Sequence, residues 1–235
     1  MNAPAPTYGD PSASPANFAS GGPAAAYLVF INPDGTTGER HALMEGTNTV
    51  GRASEVALFA RDEYLSPAHA DFHVRGNEIR VVDRGSVNGV YHEISGATEL
   101  QHDDMLRVGQ ELLRFQFVAS ASPIVASNDG TTVTGSPLGR VWGRLERMSA
   151  PGESSITFVL SQPEHRMGRS DGDILFPDDG YVSGKHARIM LVDGRCMIED
   201  LGSSNGTYLR IRGEGVFKVG AKILMGTQPF AIQGP

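Results

Sequence analysis

An all-β chain built from two repeated β-sandwich units is the reading that three observations support. Glycine makes up 29 of the 235 residues. That is about 12%, against roughly 7% in average usage, and it implies many tight turns. Apolar and polar residues alternate with a period of two in several short runs, and no segment carries a sustained apolar stripe at 3.6-residue spacing. The chain also repeats itself. Shifted by 117 residues, 51–109 matches 168–226 without gaps at 18 of 59 positions, where composition alone gives roughly three or four. Two repeats of this size mean two domains rather than a solenoid.

Taken in order, residues 1–24 hold a single charge, Asp10, among Pro, Ala, Ser and Gly, and read as a disordered tail. Tyr27–Ile31 is a short buried-strand run, and Glu78–Val81 alternates. Leu113, Phe115 and Phe117 alternate with Arg114 and Gln116. Residues 119–137 return to the tail's composition and read as a flexible linker. Trp142 opens the second repeat as a packing residue, and Arg195–Ile198 is the counterpart of Glu78–Val81. The expected domains are therefore 25–118 and 138–235. Asn-Gly, Asp-Gly and Gly-Asn pairs punctuate the runs as hairpin turns require.

Composition excludes several classes. Val, Leu, Ile and Phe number 55 of 235, about 23%, enough to bury a core. No apolar run approaches the roughly 18 residues of a membrane span, and no secretory leader opens the chain. A cytoplasmic protein is the expectation. A net charge of −7 argues against nucleic-acid partners. Cys196 stands alone, so no disulfide framework or cysteine-rich zinc site is expected, and the seven histidines lack metal-ligand spacing. No cofactor is implied. Ser183, His186 and Asp200, like Ser66, His69 and Asp83, include the residue types of a hydrolytic triad, but no oxyanion motif accompanies them. A non-enzyme is expected. Asp171, Asp173, Asp178 and Asp179 read as a solvated acidic surface.

The identities between the repeats are mostly polar loop residues beside glycines, whereas core positions vary. Gly51-Arg52 meets Gly168-Arg169, and Ser66, His69 and Ala70 meet Ser183, His186 and Ala187. Asp83, Gly85, Ser86, Asn88 and Gly89 meet Asp200, Gly202, Ser203, Asn205 and Gly206. Gly-Arg, then Ser-x-x-His-Ala, then Asp-x-Gly-Ser-x-Asn-Gly resembles the forkhead-associated (FHA) domain, twice, covering 25–118 and 139–235. The resemblance implies a β-sandwich whose loops at one end bind phosphothreonine peptides. The residue types suit such a ligand, because a phosphothreonine presents nearly two negative charges and three acceptor oxygens. Arginine answers with charge and fixed donors, serine with a neutral donor, and asparagine can hold a peptide main chain.

By that resemblance Arg169, Ser183, Gly184, Lys185 and Ser204 should hold the phosphate in the second repeat, and Asn205 the peptide. Arg52, Ser66 and Asn88 are the weaker first-repeat set. His69, His186, Gly51, Gly168, Gly89 and Gly206 are architectural. The first repeat departs from the pattern: Val87 stands for Ser204, Pro67 and Ala68 for Gly184 and Lys185, and Val90 for Thr207. The implied function is a phosphothreonine-binding adaptor in Ser/Thr-kinase signalling, with the second repeat the stronger reader. Its implied partners are threonine-phosphorylated proteins and a Ser/Thr protein kinase. The alternative is a phosphate-independent interaction scaffold with degenerate sites.

Overall fold

The alternating runs become strands, and the glycine pairs become the turns between them. The computed structural model describes residues 23–54, 56–118, 128–131, 140–150 and 152–235. The disordered tail expected over 1–24 and the flexible linker expected over 119–137 therefore fall almost wholly outside the described residues. The first repeat contributes β1 (Ala26–Ile31), β2 (Thr37–Leu43), β3 (Gly46–Val50), β4 (Ala70–Arg75), β5 (Glu78–Asp83), β6 (Val90–Glu93), β7 (Thr98–Leu100), β8 (Met105–Val108) and β9 (Glu111–Phe117), with one helical turn, α1 (Ala57–Ala60). The second contributes β10 (Gly143–Ala150), β11 (Glu153–Leu160), β12 (Glu164–Gly168), β13 (Ile174–Leu175), β14 (Ala187–Val192), β15 (Arg195–Asp200), β16 (Thr207–Arg210), β17 (Glu214–Lys218), β18 (Lys222–Met225) and β19 (Gln228–Gln233).

Local sequence explains these strands. In β4, Ala70, Phe72 and Val74 are buried while Asp71, His73 and Arg75 alternate outward. In β9, Leu113 and Phe115 face the core between Leu112, Arg114 and Gln116. The β14–β15 hairpin turns at Asp193 (φ 51°) and Gly194 (φ 77°), the two successive left-handed residues of a type I′ turn.

The chain is all-β and carries two sandwich units, but the hydrogen bonds do not follow the division into 25–118 and 138–235. A ten-stranded sheet runs β11-β10-β9-β8-β16-β6-β18-β19-β1-β2, with smaller sheets β13-β12-β14-β15-β7 and β17-β5-β4-β3 packed against it. The last three strands of each repeat are thus exchanged. β17 pairs with β5, placing Gly215 opposite Val81, while β7 pairs with β15, placing Thr98 opposite Ile198. Likewise β19 pairs with β1 (Ile232 opposite Leu28) and β9 with β10 (Phe115 opposite Leu145). These pairs are the same register shifted by 117 residues, so the exchange is reciprocal.

Each core consequently draws on both repeats. Leu100, Leu106, Val108, Leu113 and Phe115 join Leu145, Met167, Ile189 and Ile198 in one cluster. Ile223, Met225, Phe230 and Ile232 join Leu28, Phe59, Phe72 and Val81 in the other. The crossing strands β6 and β16 pair antiparallel, with His92 opposite Leu209. Those two positions are equivalent in the repeat, so a local pseudo-twofold axis passes between them. Tyr91, Tyr208 and Leu224 form a third small apolar cluster there.

Candidate functional site

The exchange leaves both loop sets intact, because each lies wholly in the part of its repeat that precedes the crossing. Their frame is a buried histidine. Ser66 N donates to His69 Nδ1 at 3.0 Å, and His69 Nε2 meets Gly89 O at 3.0 Å. Ser183 N, His186 and Gly206 O repeat the arrangement at 3.0 and 3.1 Å. Only the neutral tautomer with its proton on Nε2 accepts at one nitrogen and donates at the other. Burial pushes both imidazoles below the ordinary histidine pKa, as it does His41 and His92.

This arrangement sets a pH dependence. The unfolded chain binds protons at these histidines near the ordinary value of 6.5, whereas the folded chain refuses them until lower pH. Stability is therefore full above that value and is lost as pH falls through the depressed folded pKa values. Asp200 acts in the same direction at more acid pH: burial opposes its ionisation, yet hydrogen bonds from Thr207 and Ser203 outweigh that and hold its pKa low. Calorimetry should find a lower Tm at pH 5 than at pH 7; a Tm that rises over that interval would contradict the frame.

On this frame the polar groups gather. Ser183 Oγ accepts from Ser204 N at 3.0 Å, which leaves the hydroxyl proton free to donate. Ser66 Oγ accepts from Val87 N at 3.1 Å in the same way. Asn205 donates to Tyr181 O at 2.9 Å and Asn88 to Tyr64 O at 2.8 Å, leaving each Oδ1 and second amide proton unused among the described residues. Arg169 is bound to Ser183 O through its backbone (2.9 Å), and its exposed side chain has no partner among the described residues. Arg52 is held differently, its Nε donating to Leu65 O at 3.3 Å. Lys185 pairs with Asp171 at 3.4 Å, both exposed. The Gly184 N–H donates to no group among the described residues, whereas Pro67 has none to offer. Ser204 is exposed, and its counterpart Val87 is 72% exposed. Hydrogen bonds thus tie the turns of Arg169, Ser183 and Ser204 together in the second repeat, and those of Arg52, Ser66 and Val87 in the first.

The glycines are steric. A Cβ on Gly168 would stand 2.6 Å from Asp171 O and crowd Gly184 O; on Gly51 it would stand 2.8 Å from His69 N and crowd Pro67 O. Gly89 (φ 80°) and Gly206 (φ 77°) occupy left-handed backbone under the side chains of Arg210 and Glu93 respectively.

The acidic stretch is not uniformly a solvated surface. Asp179 is buried and accepts from Tyr181 N (2.8 Å) and Gln110 N (2.7 Å). Asp62, its buried equivalent, accepts from Tyr64 N (2.9 Å) and Thr227 N (3.3 Å). Each clips an exchanged turn to the tyrosine whose carbonyl holds the loop asparagine. Identity of this aspartate between the repeats was the signal that could have found it. Trp142 packs, its indole N–H donating to Gln162 O at 2.7 Å. Cys196 is buried, and burial with the nearby Glu99 pushes its thiol up to about 11.

The triad reading has no geometry behind it. His186 accepts from the Ser183 backbone rather than its hydroxyl, and Asp200 is engaged by Gly202, Ser203 and Thr207. No group of three or more His, Cys, Asp or Glu is placed to hold a metal among the described residues. Among the same residues no helix is long and apolar enough to cross a membrane.

Among known proteins, the chain is 34% identical over 114 residues to an oxoglutarate dehydrogenase inhibitor of Corynebacterium efficiens, covering 48% of this chain and 78% of that one. It is 30% identical over 112 residues to the glycogen accumulation regulator GarA of Mycobacterium tuberculosis, covering 47% and 67%. These relatives are named as regulators, not as catalysts. Among solved structures, Mycobacterium tuberculosis EmbR in complex with a low affinity phosphopeptide is 28% identical, covering 37% of this chain and 26% of that one at a TM-score of 0.21. The FHA-domain family model matches residues 48–109 and again 165–226. More than half of the chain is matched, and the chain belongs to the FHA-domain family, whose domain it carries twice.

Proposed function

We propose that the chain is a non-catalytic adaptor that binds threonine-phosphorylated proteins in Ser/Thr-kinase signalling in the cytoplasm, with the second loop set the stronger reader. The observation that carries this is Arg169 and Ser183, joined through their backbones: the guanidinium is exposed and unpaired among the described residues, and the Ser183 hydroxyl proton is free. Gly184 and Lys185 follow Ser183 in the same turn, so that stretch offers the charge and donors a phosphate needs. The first set has Arg52 partly engaged and lacks the counterparts of Gly184, Lys185 and Ser204. Val87, 72% exposed where the second set has Ser204, gives its rim an apolar side chain, while Tyr64 and Tyr181 are exposed in both sets. That rim supports a second reading for the first site alone, a phosphate-independent contact with an apolar partner surface.

The test uses the full chain, because residues 138–235 alone lack β7–β9. It is titrated with a degenerate phosphothreonine peptide library and its unphosphorylated counterpart. A charge-assisted hydrogen bond is worth about 1.5–3 kcal/mol, so Arg169→Ala should weaken second-site binding roughly 10–100-fold. Arg52→Ala should cost less. Binding that ignores the phosphate, or a tighter of the two binding phases that Arg169→Ala leaves unchanged, refutes the proposal.

A further inference from the structure

The two loop sets differ in how they satisfy one carboxylate. Asp200 is saturated from within its own loop: Oδ1 accepts from Gly202 N and Ser203 N, both at 2.8 Å. Its Oδ2 accepts from the hydroxyls of Ser203 and Thr207, both at 2.7 Å. Asp83 is enclosed too, its side chain only 7% exposed, yet its loop offers less. Oδ1 accepts from Ser86 N at 2.8 Å. Among the described residues no hydroxyl reaches Oδ2, because Val90 stands where the second loop has Thr207 and the Ser86 hydroxyl makes no bond to Asp83.

What faces Asp83 Oδ2 is Arg210 Nη2, at 3.7 Å. Arg210 lies on β16 of the other repeat and is opposite Tyr91 because β6 and β16 pair at the crossing. The same guanidinium lies against Gly89, which directly follows Asn88. From Asp83 the support continues to Ser86, whose Oγ accepts from Gly89 N at 3.0 Å. Where the second loop turns a hydroxyl to its aspartate, the first turns a cation from the other repeat to Asp83. We infer that Arg210 is a positioning residue for the first recognition loop, delivered by the second repeat, so that the first site is incomplete without its neighbour. The inference rests on reading that loop as peptide-binding, and its test separates the two.

The test is amide hydrogen exchange by NMR on the full chain, at Ser86 and Gly89, with Ser203 and Gly206 as internal references. Arg210→Gln should speed exchange at the first pair a few-fold, the effect of one lost, partly exposed ion pair, and leave the reference pair unchanged. Adding Val90→Thr restores the hydroxyl that Thr207 provides in the other loop and should restore slow exchange. Unchanged rates at Ser86 and Gly89, equal acceleration in both loops, or failure of Val90→Thr to restore would each overturn the assignment. The phosphothreonine library is then titrated in an Arg169→Ala background, where the affinity should fall and recover in parallel. If no chain binds there, the phosphopeptide reading of the first loop fails, and the exchange rates decide the role of Arg210 by themselves.

Discussion

A chain cut between residues 119 and 139, at an introduced protease site, should stay in one piece under native conditions. Of the strand pairings, β1·β19, β9·β10, β7·β15, β6·β16, β8·β16, β5·β17 and β6·β18 join residues before the cut to residues after it. The exchanged strands bury Leu106, Val108, Leu113 and Phe115 in one core and Ile223, Met225, Phe230 and Ile232 in the other. Each such side chain contributes about 1.5–3 kcal/mol, so neither half can leave without opening both cores. Separation should then proceed at the rate of unfolding, which for stable small domains extends to hours or days. Size-exclusion chromatography of the cut protein should give one peak of full mass that splits only in denaturant. Two half-mass peaks in native buffer at micromolar concentration would refute the exchanged arrangement.

The second large effect is expected from Gly168→Ala. The added methyl would meet the backbone oxygens of Gly184 and Asp171 rather than any side chain able to swing aside. Relief requires moving the turn that carries Ser183 and Lys185. Overpacking of this kind costs about 1–3 kcal/mol, or a fall in Tm of about 2–12 °C for a protein of this size. The displaced turn should also abolish second-site phosphopeptide binding while leaving the first site working. Gly184→Ala is the control: its added methyl meets only Ser170 Oγ, at 3.3 Å. Equal effects from the two changes would show that steric approach at Gly168 is not what shapes the turn.

Both loop sets were legible in the sequence because their chemistry is local. Ser183, His186, Asn205 and Gly206 meet through hydrogen bonds that any chain with those spacings can make, and repetition separated them from chance. The exchange was not legible, for a physical reason. Equivalent positions are apolar in both repeats, so β17 can lie on β5 in the register that β7 would take there. Ile94 and Ile211 are identical and equivalent, yet Ile94 is buried in the core built around the second repeat and Ile211 in the other. Composition and periodicity are the same for either connectivity. What differs is the path of the chain at 93–94 and 210–211, and no residue type there announces it. Arg210 was hidden for the same reason, since nothing in its own repeat explains it.

The axis between His92 and Leu209 also constrains what a bivalent ligand can look like. Related by a half-turn, the Asn88 and Asn205 loops stand as equivalent surfaces on the two sides of that axis. A partner that carries the same segment twice about a twofold axis of its own could meet both in equivalent ways, and the fold then matches partners by symmetry.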